Sequence, residues 1–262
     1  MASYAQLALL AFLLSAVVMT LVWWRQVYTK NAGIVDAWWS YNFGLIALMF
    51  GSINLLQGEW LKSLAAIPVI IWSVRLGTHL LIRNTNHDHE DSRYRQLRLE
   101  YGDRENFLMW RFFMYQAISN VVLSLPFLMI AADHDFQYTW VAVIGFFIWL
   151  TGMIGESIAD HQLKQFKSNP VNKSAVCERG LWYYSRHPNY FFEWMIWVGF
   201  ALISSCASYG WISFVCPIIM YFLLTKVTGI PMLEAQAVQS KGNAYIRYQQ
   251  STSAFFPWFK KK

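Results

Sequence analysis

The sequence predicts an all-α integral membrane protein of about seven transmembrane helices, with the N-terminus outside and the C-terminus in the cytoplasm. Three observations carry this prediction. Of 262 residues 56% are hydrophobic and only 14% charged, against roughly 25% charged in soluble domains. Apolar runs of about 20 residues recur along the chain, the length at which a helix crosses hydrocarbon with its backbone polar groups paired internally. Finally, Lys and Arg gather in alternate connections, which orients the spans by the positive-inside rule.

The runs are Tyr4 to Trp24, Val35 to Leu55, Trp60 to Ile82, Leu108 to Ala132, Tyr138 to Ile158, Tyr190 to Ser205 (extending to Ala207) and Tyr209 to Thr228. The sixth is short and the second carries polar residues, so six or eight spans are the alternatives. "MASYAQ" has no basic n-region and the run after it is too long for a signal peptide, so it is read as a span. Arg25 and Lys30 follow the first span, and Arg93, Arg95, Arg98 and Arg104 the third. Lys164, Lys167, Lys173, Arg179 and Arg186 follow the fifth, and Lys241, Arg247 and "KKK" the seventh. The intervening "QGEW", "DHDFQY" and "SYGW" contain neither Lys nor Arg.

No linker or repeat divides the chain, so residues 1–262 are read as one multi-pass domain. The net charge of +6 lies on one membrane face, which suits anionic headgroups or an anionic ligand. Nothing resembles a nucleic-acid motif. Cys177, Cys206 and Cys216 show no paired or zinc-ligand spacing and are read as free thiols. The "NKS" sequon at Asn172 falls in a connection placed in the cytoplasm and is expected to be unused.

Two connections are long, Arg83 to Phe107 and Ala159 to Asn189, and connections of such length are usually functional or disordered. The first is expected to hold a short surface helix. Its "HDHED" contains His87, Asp88 and His89, but His-x-His without further ligands reads as a solvated mixed-charge stretch, and no metal site is expected. The second opens with "GESIADHQLKQFK". If the fifth helix runs on, Asp160, Lys164 and Lys167 share one face at i, i+4 and i+7. An ordinary ion pair with snorkelling lysines accounts for that face as well.

The same connection ends in "SRHPNYFFEW". Pro188 suits the first turn of a helix, which leaves backbone N–H groups beside Arg186 and His187, an arrangement that binds phosphate. Asn189 and Glu193 follow on one face. A carboxylate inside a span marks a functional site by default; the plainer alternative is a headgroup-level pair with Arg186 or Lys226.

"RGLWYYSRHPNYFFEW", "GESIADHQLKQFK" and the tail "TGIPMLEAQAVQSKGNAYIRYQQSTSAFFPW" together resemble the DUF1295 branch of the steroid 5α-reductase superfamily. The resemblance continues more weakly through "DAWWS" and "WSVRLGTHLLIRN". It implies a seven-helix membrane fold whose C-terminal helices and cytoplasmic loops bind NADPH. By that resemblance Asp160, Lys164 and Lys167 lie along the adenosine and phosphates, with Arg179, Arg186 and His187 adding positive charge. Asn189 and Glu193 hold the nicotinamide end, and Tyr184, Tyr190, Glu234, Tyr245 and Tyr248 close the pocket. Residues 133–262 become the NADPH-binding half and residues 1–132 the lipid-substrate half. The implied membrane is the inner membrane of a bacterium or the endoplasmic reticulum of a eukaryote.

The implied reaction is NADPH-dependent reduction of a conjugated C=C bond in a lipid or steroid-like enone, with hydride to the β-carbon and a proton to the α-carbon. The steroid reductases use a Gln-Glu pair in the second span and a tyrosine in the third. Here Gln57 and Glu59 are separated by Gly58 and lie in an outer connection. At the equivalent depth stand Asp36, Trp39, Tyr41 and Asn42, then Trp72, Arg75 and His79. Tyr41 and His79 are the proton-donor candidates and Asp36 a group to orient one of them; each also reads as an interhelical hydrogen bond.

"RHPNY" with a later glutamate, here Glu234, is also similar to the pattern of S-adenosylmethionine-dependent membrane methyltransferases of the isoprenylcysteine carboxyl methyltransferase type. That donor carries no phosphate, so it leaves Lys164 and Lys167 without a task. A membrane scaffold or lipid-binding protein, the third reading, leaves Glu193 unexplained.

Overall fold

The computed structural model describes residues 3–85, 90–227 and 229–260. His87, Asp88 and His89 lie outside them. Within the described residues every regular element is helical. The chain runs α1 (Tyr4–Thr29), α2 (Ile34–Leu56), α3 (Trp60–Leu64), α4 (Ala66–Thr85), α5 (Ser92–Tyr101), α6 (Glu105–Leu123), α7 (Leu125–Ala132), α8 (Trp140–Ser168), α9 (Pro188–Ser204), α10 (Val215–Phe222), α11 (Ile230–Lys241) and α12 (Asn243–Ser251).

Five stretches are long and apolar enough to cross a membrane: Tyr4–Thr29, Ile34–Leu56, Trp60–Asn84, Trp140–Ser168 and Gly210–Lys241. Ser92–Leu123 with Leu125–Ala132 makes a sixth if that pair, bent by 49°, is one span. The bend follows from Pro126, which lacks an N–H and whose ring excludes the carbonyl one turn back. The short α9, with 17 residues, extends only about 26 Å.

The chain forms two compact units. The first comprises residues 1–137 and 207–210, the second 138–206 and 211–262. In the first, α1 turns Leu7, Ala11, Ser15, Met19, Val22 and Gln26 inward, and leaves Leu9, Leu13, Val17 and Leu21 exposed in a stripe four residues apart. A helix apolar on both faces is what a bilayer requires. Without a hydrophobic drive between helices, polar side chains join them. The Asn42 amide donates to Asn120 Oδ1 at 3.1 Å, and Ser73 Oγ donates to the Ser40 carbonyl at 2.7 Å. The expected surface helix is α5. Its Arg98 is a hub, binding Glu90, Glu105 and, at 2.7 Å, Gln26 Oε1.

In the second unit α8 packs along α9 at very short range. A Cβ placed on Gly199 would stand 2.7 Å from the Gly145 carbonyl oxygen and from Trp149 Cβ, so only glycine permits this approach. Helix α8 does not stop at Ile158 but continues to Ser168, carrying Asp160, Lys164 and Lys167 on helix rather than loop. After α10 the chain passes through a π-helical turn, Leu223–Val227. The apolar run ends there; α11 beyond it carries Glu234, Gln236, Gln239 and Lys241.

Candidate functional site

The polar end of the second unit is assembled around the turn that enters α9. Pro188 occupies the first turn, and His187, the residue before the helix, has φ −137°. Four backbone donors at this turn are engaged. The Arg186 N–H donates to the Ser253 carbonyl at 2.8 Å and the His187 N–H to Ser185 Oγ at 3.1 Å, while Tyr190 and Phe191 both donate to the His187 carbonyl. The C-terminal tail seals this helix mouth: the Trp258 N–H donates to the Tyr184 carbonyl at 2.9 Å, and Ser185 Oγ donates to Phe255 O at 2.9 Å.

Arg186 is committed in the same way. Its Nε and Nη2 form a two-pronged pair with Glu234, at 2.7 and 3.2 Å. Its Nη1 donates to the carbonyls of Gln249 and Thr252. Glu234 also receives Gln249 Nε2 at 2.8 Å and lies 3.1 Å from His187 Nε2. Burial alone would raise the Glu234 carboxyl, but hydrogen bonds from His187, Arg186 and Gln249, with the charge of Arg186, hold it at about 2. This differs from the expected placement of Arg186 along phosphates. Geometry of this kind saturates a guanidinium, so Arg186 holds the turn rather than presenting charge. Tyr248 has the same part, donating to the carbonyls of Trp182 and Ser185. Tyr245 is buried edge-on against it, 5.8 Å between centroids, with its phenol pushed up by burial and by Glu234.

A further group of polar side chains lies along α8 and α9. Asn189 Nδ2 donates to Asp160 Oδ1 at 3.3 Å, tying the two helices together. The Asn189 Oδ1 is buried with no hydrogen-bond partner among the described residues, which is costly unless a donor arrives. The His187 and Tyr190 rings stack at 5.7 Å, inclined by 16°. One turn deeper, Glu193 is 5% exposed and accepts the Trp197 indole N–H at 2.9 Å. Its alternative pairing with Arg186 is closed, because that guanidinium is held by Glu234. Lys164, Lys167 and Arg179 are exposed, as is the Tyr184 ring.

Asp36, Tyr41 and His79 fall in the other compact unit. Instead of orienting Tyr41 or His79, the Asp36 carboxylate accepts the Tyr94 hydroxyl at 2.5 Å and Arg93 Nη2 at 2.9 Å. Tyr41 Oη pairs with Thr78 Oγ1 at 3.0 Å, the interhelical contact that was the plainer expectation. His79 is partly buried on α4.

Sequence reasoning missed Gln249, Trp197 and Gln162, whose Oε1 accepts the Leu181 N–H at 2.9 Å. It also missed the tail residues that close the turn. Only the tail carried a signal: "AFFPW" is an unusually aromatic end for a chain leaving the membrane.

Fold and site together define a multi-pass α-helical membrane protein with a polar helix pair at one end of its C-terminal unit. The chain belongs to DUF1295, a family described as of unknown function, whose profile matches residues 22–252; the family is part of the steroid 5α-reductase-like superfamily. The chain is also 40% identical over 67 residues to the "Probable O-methyltransferase ustE" of Ustilaginoidea virens, a match spanning 25% of this chain and 23% of that protein.

Proposed function

We propose that the polar end of the second unit binds NADPH, and that the protein is a membrane reductase of a conjugated C=C bond in a lipid or steroid-like enone. The observation that carries this reading is the buried, partnerless Asn189 Oδ1 beside Asp160. A planar carboxamide supplies the N–H donors that such an acceptor takes. The bound dinucleotide would supply hydride. Asn189 would hold its nicotinamide amide, with Glu193 as a second acceptor one turn deeper and the His187–Tyr190 stack as a flat wall. Asp160 would accept ribose hydroxyls, while Lys164 and Lys167 meet phosphates along the same helix face. In this reading α9 completes seven crossings, the chain enters from outside, and the loop before α9 faces the cytoplasmic dinucleotide pool.

A second reading, methyl transfer from S-adenosylmethionine, is favoured by the O-methyltransferase activity named for the partial relative. The commitment of Arg186 to Glu234 is compatible with it, since that donor brings no phosphate. Titrating purified protein with NADPH, NADH and S-adenosylmethionine separates the two. Binding of NADPH, weakened about tenfold or more by Asn189→Ala and by Glu193→Gln, is the expected result. Binding of S-adenosylmethionine alone replaces the reductase with the methyltransferase.

A further inference from the structure

The segment that follows α12 folds back onto its own unit. Its backbone is pinned to the turn that enters α9: the Arg186 N–H donates to the Ser253 carbonyl at 2.8 Å, and the Trp258 N–H to the Tyr184 carbonyl at 2.9 Å. The segment also returns to the apolar helices. The Phe255 and Phe256 rings lie 5.2 and 6.2 Å from the Tyr221 ring, and Phe256 lies 5.9 Å from both Phe191 and Trp194. Tyr221 belongs to α10, inside the stretch Gly210–Lys241 that is long and apolar enough to cross a membrane. Since α10 gives way at once to the π-helical turn Leu223–Val227, where the apolar run ends, these rings sit near the edge of the hydrocarbon.

The fold encloses Phe255, which is 5% exposed, and leaves Phe256, Trp258 and Phe259 49%, 71% and 73% exposed. The exposed rings continue the outward side of α10, where Tyr221 and Phe222 are exposed as well. Phe259 stands edge-on to Tyr184 at 6.0 Å. Three large rings held open on a pinned backbone are unfavourable in water. At a bilayer interface they meet the environment that such rings prefer. The next residue keeps the same order of polarity: Lys260 lies over the Tyr183 ring at 4.8 Å and pairs with Glu178, a charged head on the polar side of an aromatic row.

We propose that residues 256–259 form an interfacial membrane anchor, in which Phe256, Trp258 and Phe259 enter the acyl–headgroup boundary of the bilayer beside α10. Lipid is the occupant of this surface because the exposed row is continuous with the outward side of α10. The anchor is independent of which donor the α8–α9 site takes.

The test uses the full chain carrying Cys206→Ser, since Cys177 and Cys216 are buried. A nitrobenzoxadiazole label is placed at Trp258→Cys, at Phe259→Cys or, as a reference, at Val171→Cys, where the native side chain is 86% exposed. Each protein is reconstituted in nanodiscs of phosphatidylcholine with and without bromine on the acyl chains. The replaced side chains are exposed and the backbone N–H at 258 remains, so the pinned segment keeps its place. Labels at 258 and 259 are expected to emit to the blue of the label at 171 and to lose intensity to the brominated lipid, with no loss at 171. Unshifted and unquenched labels at 258 and 259 would put the row in water and overturn the anchor. A blue shift without quenching would mark cover by a second copy of the chain or another protein, and overturns it too. Equal quenching at all three positions overturns a local anchor.

Discussion

At the residue scale the decisive fact is what Arg186 is bonded to. In sequence it stands beside His187 and Pro188 at a helix mouth and reads as an anion ligand; in the fold it binds Glu234 and two tail carbonyls. The Glu234 carboxyl is held at about 2, below its ordinary 4.5. A depressed carboxylate contributes stability that is complete above the unfolded value and is lost as pH falls through the folded one. Melting of the purified protein is therefore expected to hold near pH 6 and fall between about pH 4.5 and about pH 2. Glu234→Gln leaves a nearly buried guanidinium without its counter-charge. It is expected to cost about 3–5 kcal/mol at neutral pH and to remove this group's share of the acid-induced fall. An unchanged acid profile in Glu234→Gln would assign the acid sensitivity to other groups.

At the element scale, the contact between α8 and α9 presents the candidate ligand groups, and it exists because glycines let two backbones approach. Gly199→Val places a Cβ against the Gly145 carbonyl and Trp149, neither of which is a flexible side-chain end. Separating the helices should cost about 1–3 kcal/mol and pull Asn189 away from Asp160. Thermal unfolding in detergent should show a lower midpoint for Gly199→Val, while Leu13→Val, on the exposed stripe of α1, should melt like the parent. If both melt alike, the glycine contact is not what positions the site. The same scale explains why the aromatic signal of the tail did not disclose its bonding. Residues 252–258 close the α9 turn through backbone carbonyls and amides, and backbone bonding of irregular chain carries no residue pattern to read.

At the scale of the whole molecule, the distribution of Lys and Arg predicts the topology. Cysteine-accessibility labelling in sealed vesicles should find Asn172→Cys and Ser251→Cys on the cytoplasmic side and Asp135→Cys and Ser208→Cys outside. The reverse pattern would put the α8–α9 site on the wrong side for a cytoplasmic dinucleotide.

The sequence by itself determined the helical membrane class, the helix α5 and the polar turn that enters α9. Hydrophobic runs, alternating loop charge and the "RHPNY" turn are local properties of the chain. It also placed Asp160, Lys164 and Lys167 on one face, because helical spacing is arithmetic. Only the tertiary structure decided the partners: Arg186 with Glu234, Asp36 with Tyr94 and Arg93, Trp197 with Glu193. A cation has the same chemistry whether a carboxylate of its own chain or a phosphate lies across from it. What distinguishes the two is which helices pack together, and that is set by close backbone approach and by tail bonding between residues far apart in sequence.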